Sequence, residues 1–166
     1  MTIQVLGIDP RSRSKNKLQA PAPLPHVSRR ALARVRDRIE PPKSCHCCGG
    51  PVRLSDNSVI YNGRSYGDWP FVYRCTQCQA YIGLHPDTDL PLGIMADRAT
   101  TNARKQCKSA FTHLLVSRFG GDRNRAYAWL AKALGISPAI CHFGMFTREQ
   151  AERAGEVCRL ELGSRA

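Results

Sequence analysis

Cys45-His46-Cys47-Cys48-Gly49-Gly50 and Cys75-Thr76-Gln77-Cys78 form two pairs of soft donors, separated by 26 intervening residues. Each C-x-x-C can wrap as a tight knuckle with its two thiolates about 3.5 to 4 Å apart, so that four sulfurs close a tetrahedron around one Zn²⁺. Cys45 and Cys48 are the expected ligands of the first pair. They keep the two-residue spacing and place Gly49 at the sharp turn, a position suited to positive φ. Cys47 is then a neighbour and not a ligand. With Cys75 and Cys78 completing the set, no position stays open, and the predicted role of the zinc is structural. The spacer exceeds the usual ~15 to 20 residues, which implies a longer hairpin and not a different site. Disulfides are the competing use of these cysteines. They are disfavoured because the first residues show no charged-then-apolar signal pattern and knuckle cysteines make poor disulfide partners.

The elements that position this site, and what they could bind, follow from charge and composition. A chain of 166 residues with 42% apolar content supports one medium domain or two small ones. No apolar run is long enough to span a membrane, so no membrane partner and a cytoplasmic location are expected. The formal charge is +12 and unevenly spread. Residues 1–44 carry ten Lys/Arg against three Asp/Glu, residues 45–90 three against four, and residues 91–166 twelve against six. A near-neutral ribbon between basic flanks points to a polyanion partner, nucleic acid first.

Along the chain, the expected organisation is a basic, Pro-rich arm (1–43), a zinc ribbon (44–90) and a helical domain (91–166). Within Met1 to Pro10, about eight residues that end in Val5 to Pro10 resemble the first strand of an RNase H-like resolvase. That chemistry needs several carboxylates on further strands, and none follows, so Asp9 is not assigned a catalytic role. Residues 11–26 alternate charge and proline, which predicts a mobile extended arm. Ser28 then caps a predicted amphipathic helix ended by Pro41-Pro42, with Leu32, Val35 and Ile39 on one face and Arg29, Arg30 and Arg34 among the others. In the ribbon, Val52 to Leu54, Val59 to Tyr61 and Trp69 to Arg74 read as strands, with Asn62-Gly63 as a tight turn. Trp69, Phe71 and Tyr73 should share one face. Trp69 and Tyr66 are candidates to stack bases, and Arg53, Arg64 and Arg74 to meet phosphates; the competing role of the aromatics is to cover the sheet.

Cys-x-x-Cys-Gly-Gly-Pro, residues 58–67, Cys78 to Pro86, Pro91-Leu92-Gly93 and Cys141 to Phe146 together resemble a zinc-finger-containing family met in phages, prophages and plasmids. The similarity spans about residues 44–160. The knuckles also resemble the C-terminal zinc ribbons of type IA topoisomerases, which bind single-stranded DNA. The resemblance implies context and boundaries, but no mechanism.

After Pro91 the apolar period becomes helical. Ala103, Cys107, Ala110, Phe111, Leu114 and Leu115 mark one helix closed by Gly120-Gly121. Asp122 caps a second, with Ala126, Trp129, Leu130, Ala133 and Leu134 inward, and Thr147 to Gln150 opens a last one as a capping box. Ala131, Leu134, Gly135 and Ile136 have helix-turn-helix spacing. The segment after Ser137 offers His142 alone for base reading and then a glycine, so plain packing is expected there. His85 and His142 form a possible second polar site, with Asp68, Asp87, Asp89 and Asp97 as the nearest carboxylates, but their spacing does not build a catalytic centre.

The expectation is therefore an α+β protein, a Cys₄ zinc ribbon followed by a bundle of three to four helices, that binds DNA or RNA as an accessory factor of a mobile element and is not an enzyme. The alternative is a protein-interaction module docking on a host nucleic-acid-handling or defence complex. A metal-dependent nuclease is the third reading.

Overall fold

The computed structural model describes residues 3–164. Met1 and Thr2 of the resolvase-like stretch, and Arg165 and Ala166 of the helical segment, lie outside the described residues. The architecture is α+β: a small antiparallel sheet in a first unit that runs to Asp97, and helices in a second unit that starts at Arg98.

In the first unit, β1 (Val52–Asp56), β2 (Phe71–Cys75) and β3 (Tyr81–Gly83) form a sheet of order β1-β2-β3. The register sets Val52 opposite Cys75, Leu54 opposite Tyr73, and Tyr73 opposite Ile82. Period two sends these side chains to one face, where Leu24, Cys45, Leu84 and Met95 cover them. The other face carries Arg53, Arg74 and Tyr81 side by side. Residues 91–97, expected in the helical part, instead bridge back to the sheet at Leu84–Pro91 and Tyr81–Ala96. Val59 to Tyr61 is not a strand. Asp56 and Asn57 turn the chain into a 3₁₀ helix, Asn57–Val59, because short polar side chains satisfy nearby backbone groups in place of a ladder. The Asn62-Gly63 turn is present, with φ of 53° and 85°.

The N-terminal segment also departs from expectation. Residues 11–26 do not extend clear of the domain: Leu24 is buried in the sheet cluster, and Leu18, Ala20 and Val27 pack beside it and its neighbour cluster. The Ser28 cap forms, but the helix it opens, α1 (Arg29–Leu32), is a single turn. Tertiary contacts override the amphipathic pattern beyond it. Leu32, Val35 and Ile39 are all buried, while the backbone near Arg38 pairs with the first residues through Leu6 N–H donating to Arg38 O (2.8 Å). Asp9 caps a 3₁₀ helix, Pro10–Arg13, instead of ending a strand.

Arg11 explains why this segment is held. Its guanidinium reaches Asp9 at 2.8 Å and Asp89 at 2.7 Å, and both aspartates are buried, at 3% and 7% exposure. Burial alone would raise the Asp9 carboxyl. The Arg11 side chain and backbone N–H, with Arg38 adding charge, instead hold it below the ordinary carboxylate range.

In the second unit, α2 (Arg98–Phe119), α3 (Arg123–Leu134) and α4 (Arg148–Gly163) surround Phe111, Leu114, Leu130 and Phe146. Ala151, Ala154, Gly155 and Cys158 make a small-residue stripe on α4, and a Cβ on Gly155 would lie 3.5 Å from the Cys107 Cα. Two helices thus pack closely there. The Asp122 cap, the Gly135 left-handed terminus and the Thr147–Gln150 capping box all form. The face of α3 is rotated from the expected one: Ala131 is buried, whereas Trp129 is half-buried beneath Arg118, 5.1 Å from its ring. No recognition helix follows Gly135. Pro138–Ile140 and Phe143–Met145 are 3₁₀ turns, since Pro138 and Gly144 do not sustain a longer helix.

Arg11→Ala should therefore destabilise the first unit, because it strands two buried carboxylates. The expected loss is ~2 kcal/mol, below the ~3–5 kcal/mol of a fully buried pair because Arg11 keeps part of its exposure. The depressed Asp9 stabilises the fold above the ordinary carboxylate pKa, and that contribution is lost as pH falls through the lowered value. The acid-unfolding midpoint of Arg11→Ala, followed by circular dichroism, should move to higher pH than that of the parent.

Candidate metal centre

Two loops that repeat one local geometry build the site. Cys45 N–H donates to Gly50 O and Cys75 N–H to Ala80 O, at 2.9 and 2.8 Å, so each knuckle closes a loop of six residues. The turn residue after each pair is left-handed, Gly49 at φ 73° and Gln79 at φ 63°, as the sequence required at Gly49. Backbone N–H groups point at the sulfurs: Cys47 and Gly50 approach Cys45 and Cys48 at 3.3 and 3.4 Å, and Gln77 approaches Cys75 at 3.4 Å. A Cβ at Gly50 would lie 3.2 Å from Cys48 Sγ and 2.3 Å from Gln77 Oε1, the end of an exposed side chain that can swing aside.

The knuckles face one another. Cys45 and Cys78 Sγ are 3.5 Å apart, as are Cys48 and Cys75 Sγ, and all four sulfurs lie within 4.8 Å of one another. A tetrahedron with Zn–S bonds of ~2.3 Å has edges of ~3.8 Å. Donor type, number and spacing therefore fit one structural Zn²⁺. Burial raises the Cys75 thiol, but N–H groups of Cys78 and Gln77 and the adjoining sulfurs outweigh it and bring the pKa down to about 6. Burial pushes the neighbouring Cys45 thiol up and the Cys78 thiol up to about 12, so a cation must bring the set to four thiolates.

The other cysteines have different surroundings. All eight are free of disulfides. Cys47 points away from the cluster, its sulfur 3.7 Å from Met95 O, while Met95 N–H donates to His46 Nδ1 at 3.0 Å. This pair anchors the first knuckle to the segment after β3. Burial pushes Cys107 up to about 12 and Cys141 and Cys158 up to about 11, which leaves them as protonated core thiols.

The remaining candidates are placed as follows. Arg29 donates to the carbonyls of Ser14 and Asn16, whereas Arg30, Arg34, Arg53 and Arg64 are exposed. Arg74 stands opposite Arg53 and donates to Gln79 Oε1. Trp69 lies between His26 and Phe71, with centroids 5.1 and 5.0 Å away, and its Nε1 donates to Thr88 O at 3.0 Å. It borders the sheet core. Tyr66 is 54% exposed and pairs edge-on with Tyr61, a partner whose strand assignment hid it in the sequence. His85 belongs to the first unit, where its carbonyl accepts the Thr88 N–H, and His142 belongs to the second, at the start of a 3₁₀ turn. Of the carboxylates named with them, Asp89 is held by Arg11 and Asp87 lies 3.0 Å from His26.

Sheet, knuckles and donor set together define a Cys₄ zinc-ribbon module. The chain belongs to the family of the zinc-finger-containing domain, whose family model matches residues 41–161. No curated protein and no solved structure matches the chain.

Because a structural Zn²⁺ supplies about 10 kcal/mol or more to a small site, Cys75→Ser should lose the metal and unfold the ribbon. Purified protein should contain one zinc per chain by elemental analysis. A chelator should abolish the sheet signal, and retention of structure in the stripped protein would refute the assignment.

Proposed function

We propose that the chain is a nucleic-acid-binding zinc-ribbon module that works in the cytoplasm as an accessory factor of a mobile element. The observation that carries the binding is cationic charge presented by both units. Residues up to Asp97 hold 13 Lys/Arg against eight Asp/Glu, and those from Arg98 hold 12 against five. In the first unit Arg30, Arg34 and Arg36 are exposed while the intervening Leu32 and Val35 are buried. The apolar stripe docks and the arginines face water, an arrangement suited to phosphates. The mobile-element context rests on the family resemblance. A second reading, protein docking, is favoured by Val116 and Leu160, exposed by 68% and 67% on α2 and α4.

Removing the segment would expose the core, so the test uses charge alone. Every phosphate that is no longer neutralised should lower the slope of log affinity against log salt by about 0.7 to 0.9. The combined variant Arg30→Gln, Arg34→Gln, Arg36→Gln, titrated against a labelled strand between ~50 and ~200 mM salt, should show a slope flatter by about 2 with unchanged thermal stability. An unchanged slope would count against this surface. Loss of a stoichiometric protein partner on Val116→Asp, with no nucleic-acid affinity in the parent, would establish the docking reading instead.

A further inference from the structure

We infer that the outer face of the ribbon sheet and the loop after β1 form a preformed platform for single-stranded nucleic acid, with Tyr61 and Tyr66 stacking bases and Arg53, Arg64 and Arg74 meeting the backbone. The inference rests on the nucleic-acid reading and adds to it the strand class and the contact residues.

Three observations converge. Arg53 and Arg74 are cross-strand neighbours with Tyr81 beyond them; like charges placed directly opposite are unfavourable alone, and a polyanion relieves them. Tyr81 continues this row toward the loop, where its hydroxyl lies near that of Tyr61. Tyr61 in turn meets Tyr66 edge-on at 5.1 Å and 81°, and the two rings are 41% and 54% exposed.

The loop that displays them is held by its own polar residues. Asn57, 9% exposed, clamps Tyr66 on both sides: Nδ2 donates to Tyr66 O at 2.8 Å, and Tyr66 N–H donates to Oδ1 at 3.0 Å. Asp56 Oδ1 accepts the Ser58 N–H at 2.8 Å and the Ser65 hydroxyl at 2.5 Å. With the backbone fixed, stacking costs only the ordering of side chains. Rings that stack on bases require unpaired ones, whose faces a duplex conceals.

The test compares binding of a labelled oligothymidine of about 12 nucleotides with binding of a duplex of equal length, by fluorescence anisotropy on zinc-loaded full-length protein. Tyr61→Ala and Tyr66→Ala should each weaken strand binding about 5- to 100-fold and leave the duplex affinity within about twofold, whereas Tyr66→Phe should bind as the parent does. Arg53→Gln should flatten the salt slope by about 1. Zinc content and melting temperature confirm that each variant is folded. Equal losses on strand and duplex, or alanine variants that bind the strand like the parent, would overturn the platform while leaving nucleic-acid binding by charge intact. A parent that binds neither probe at low salt would overturn both.

Discussion

Four sulfur donors within 4.8 Å of one another are stable as thiolates only around a cation, and the first unit is arranged about that constraint. The N–H groups directed at Cys45, Cys48 and Cys75 hold these sulfurs in place within the knuckles. β2 runs straight into Cys75, so the last strand residue is also a ligand. The metal site and the sheet register are in this sense one structure: a slip of one residue would move Cys75 to the other face.

A three-stranded sheet has little core of its own, and the N-terminal segment supplies the missing cover. Leu24 lies against the sheet face, and Leu32, Val35 and Leu90 form a cluster beside it. Arg11, bridging Asp9 and Asp89, fixes the segment where its apolar residues can serve. The same residues then expose Arg30, Arg34 and Arg36. Structural and electrostatic roles are divided residue by residue, so charge lies on an anchored surface and not on a free tail.

The zinc ligands were legible because their chemistry depends on local spacing, and the buried face of α2 because Ala103, Cys107, Phe111 and Leu114 repeat at helical period. The N-terminal packing was not. Arg11 meets Asp89 across 78 residues, and no periodicity encodes such a contact. Proline and charge in residues 11–26 concealed the few leucines that decide their placement. Trp69 shows the limit of strand alternation, since a ring just before a strand is placed by its hydrogen bond to Thr88 and its contacts with His26 and Phe71, and not by the pleat.

The loop after β1 follows from a competition between two uses of the same residues. Val59, Ile60 and Tyr61 have the side chains of a strand, and a fourth strand would have paired their backbone. Asp56 and Asn57 draw the chain into a 3₁₀ turn before it can pair, and Asn57 O accepts both Ile60 and Tyr61 N–H groups. Backbone groups satisfied within the turn no longer need a neighbouring strand. Val59 and Tyr61 are consequently left at 46% and 41% exposure. Two polar residues thus determine that this part of the ribbon presents side chains outward from a fixed backbone, a form better suited to receiving a flexible chain than to closing the sheet.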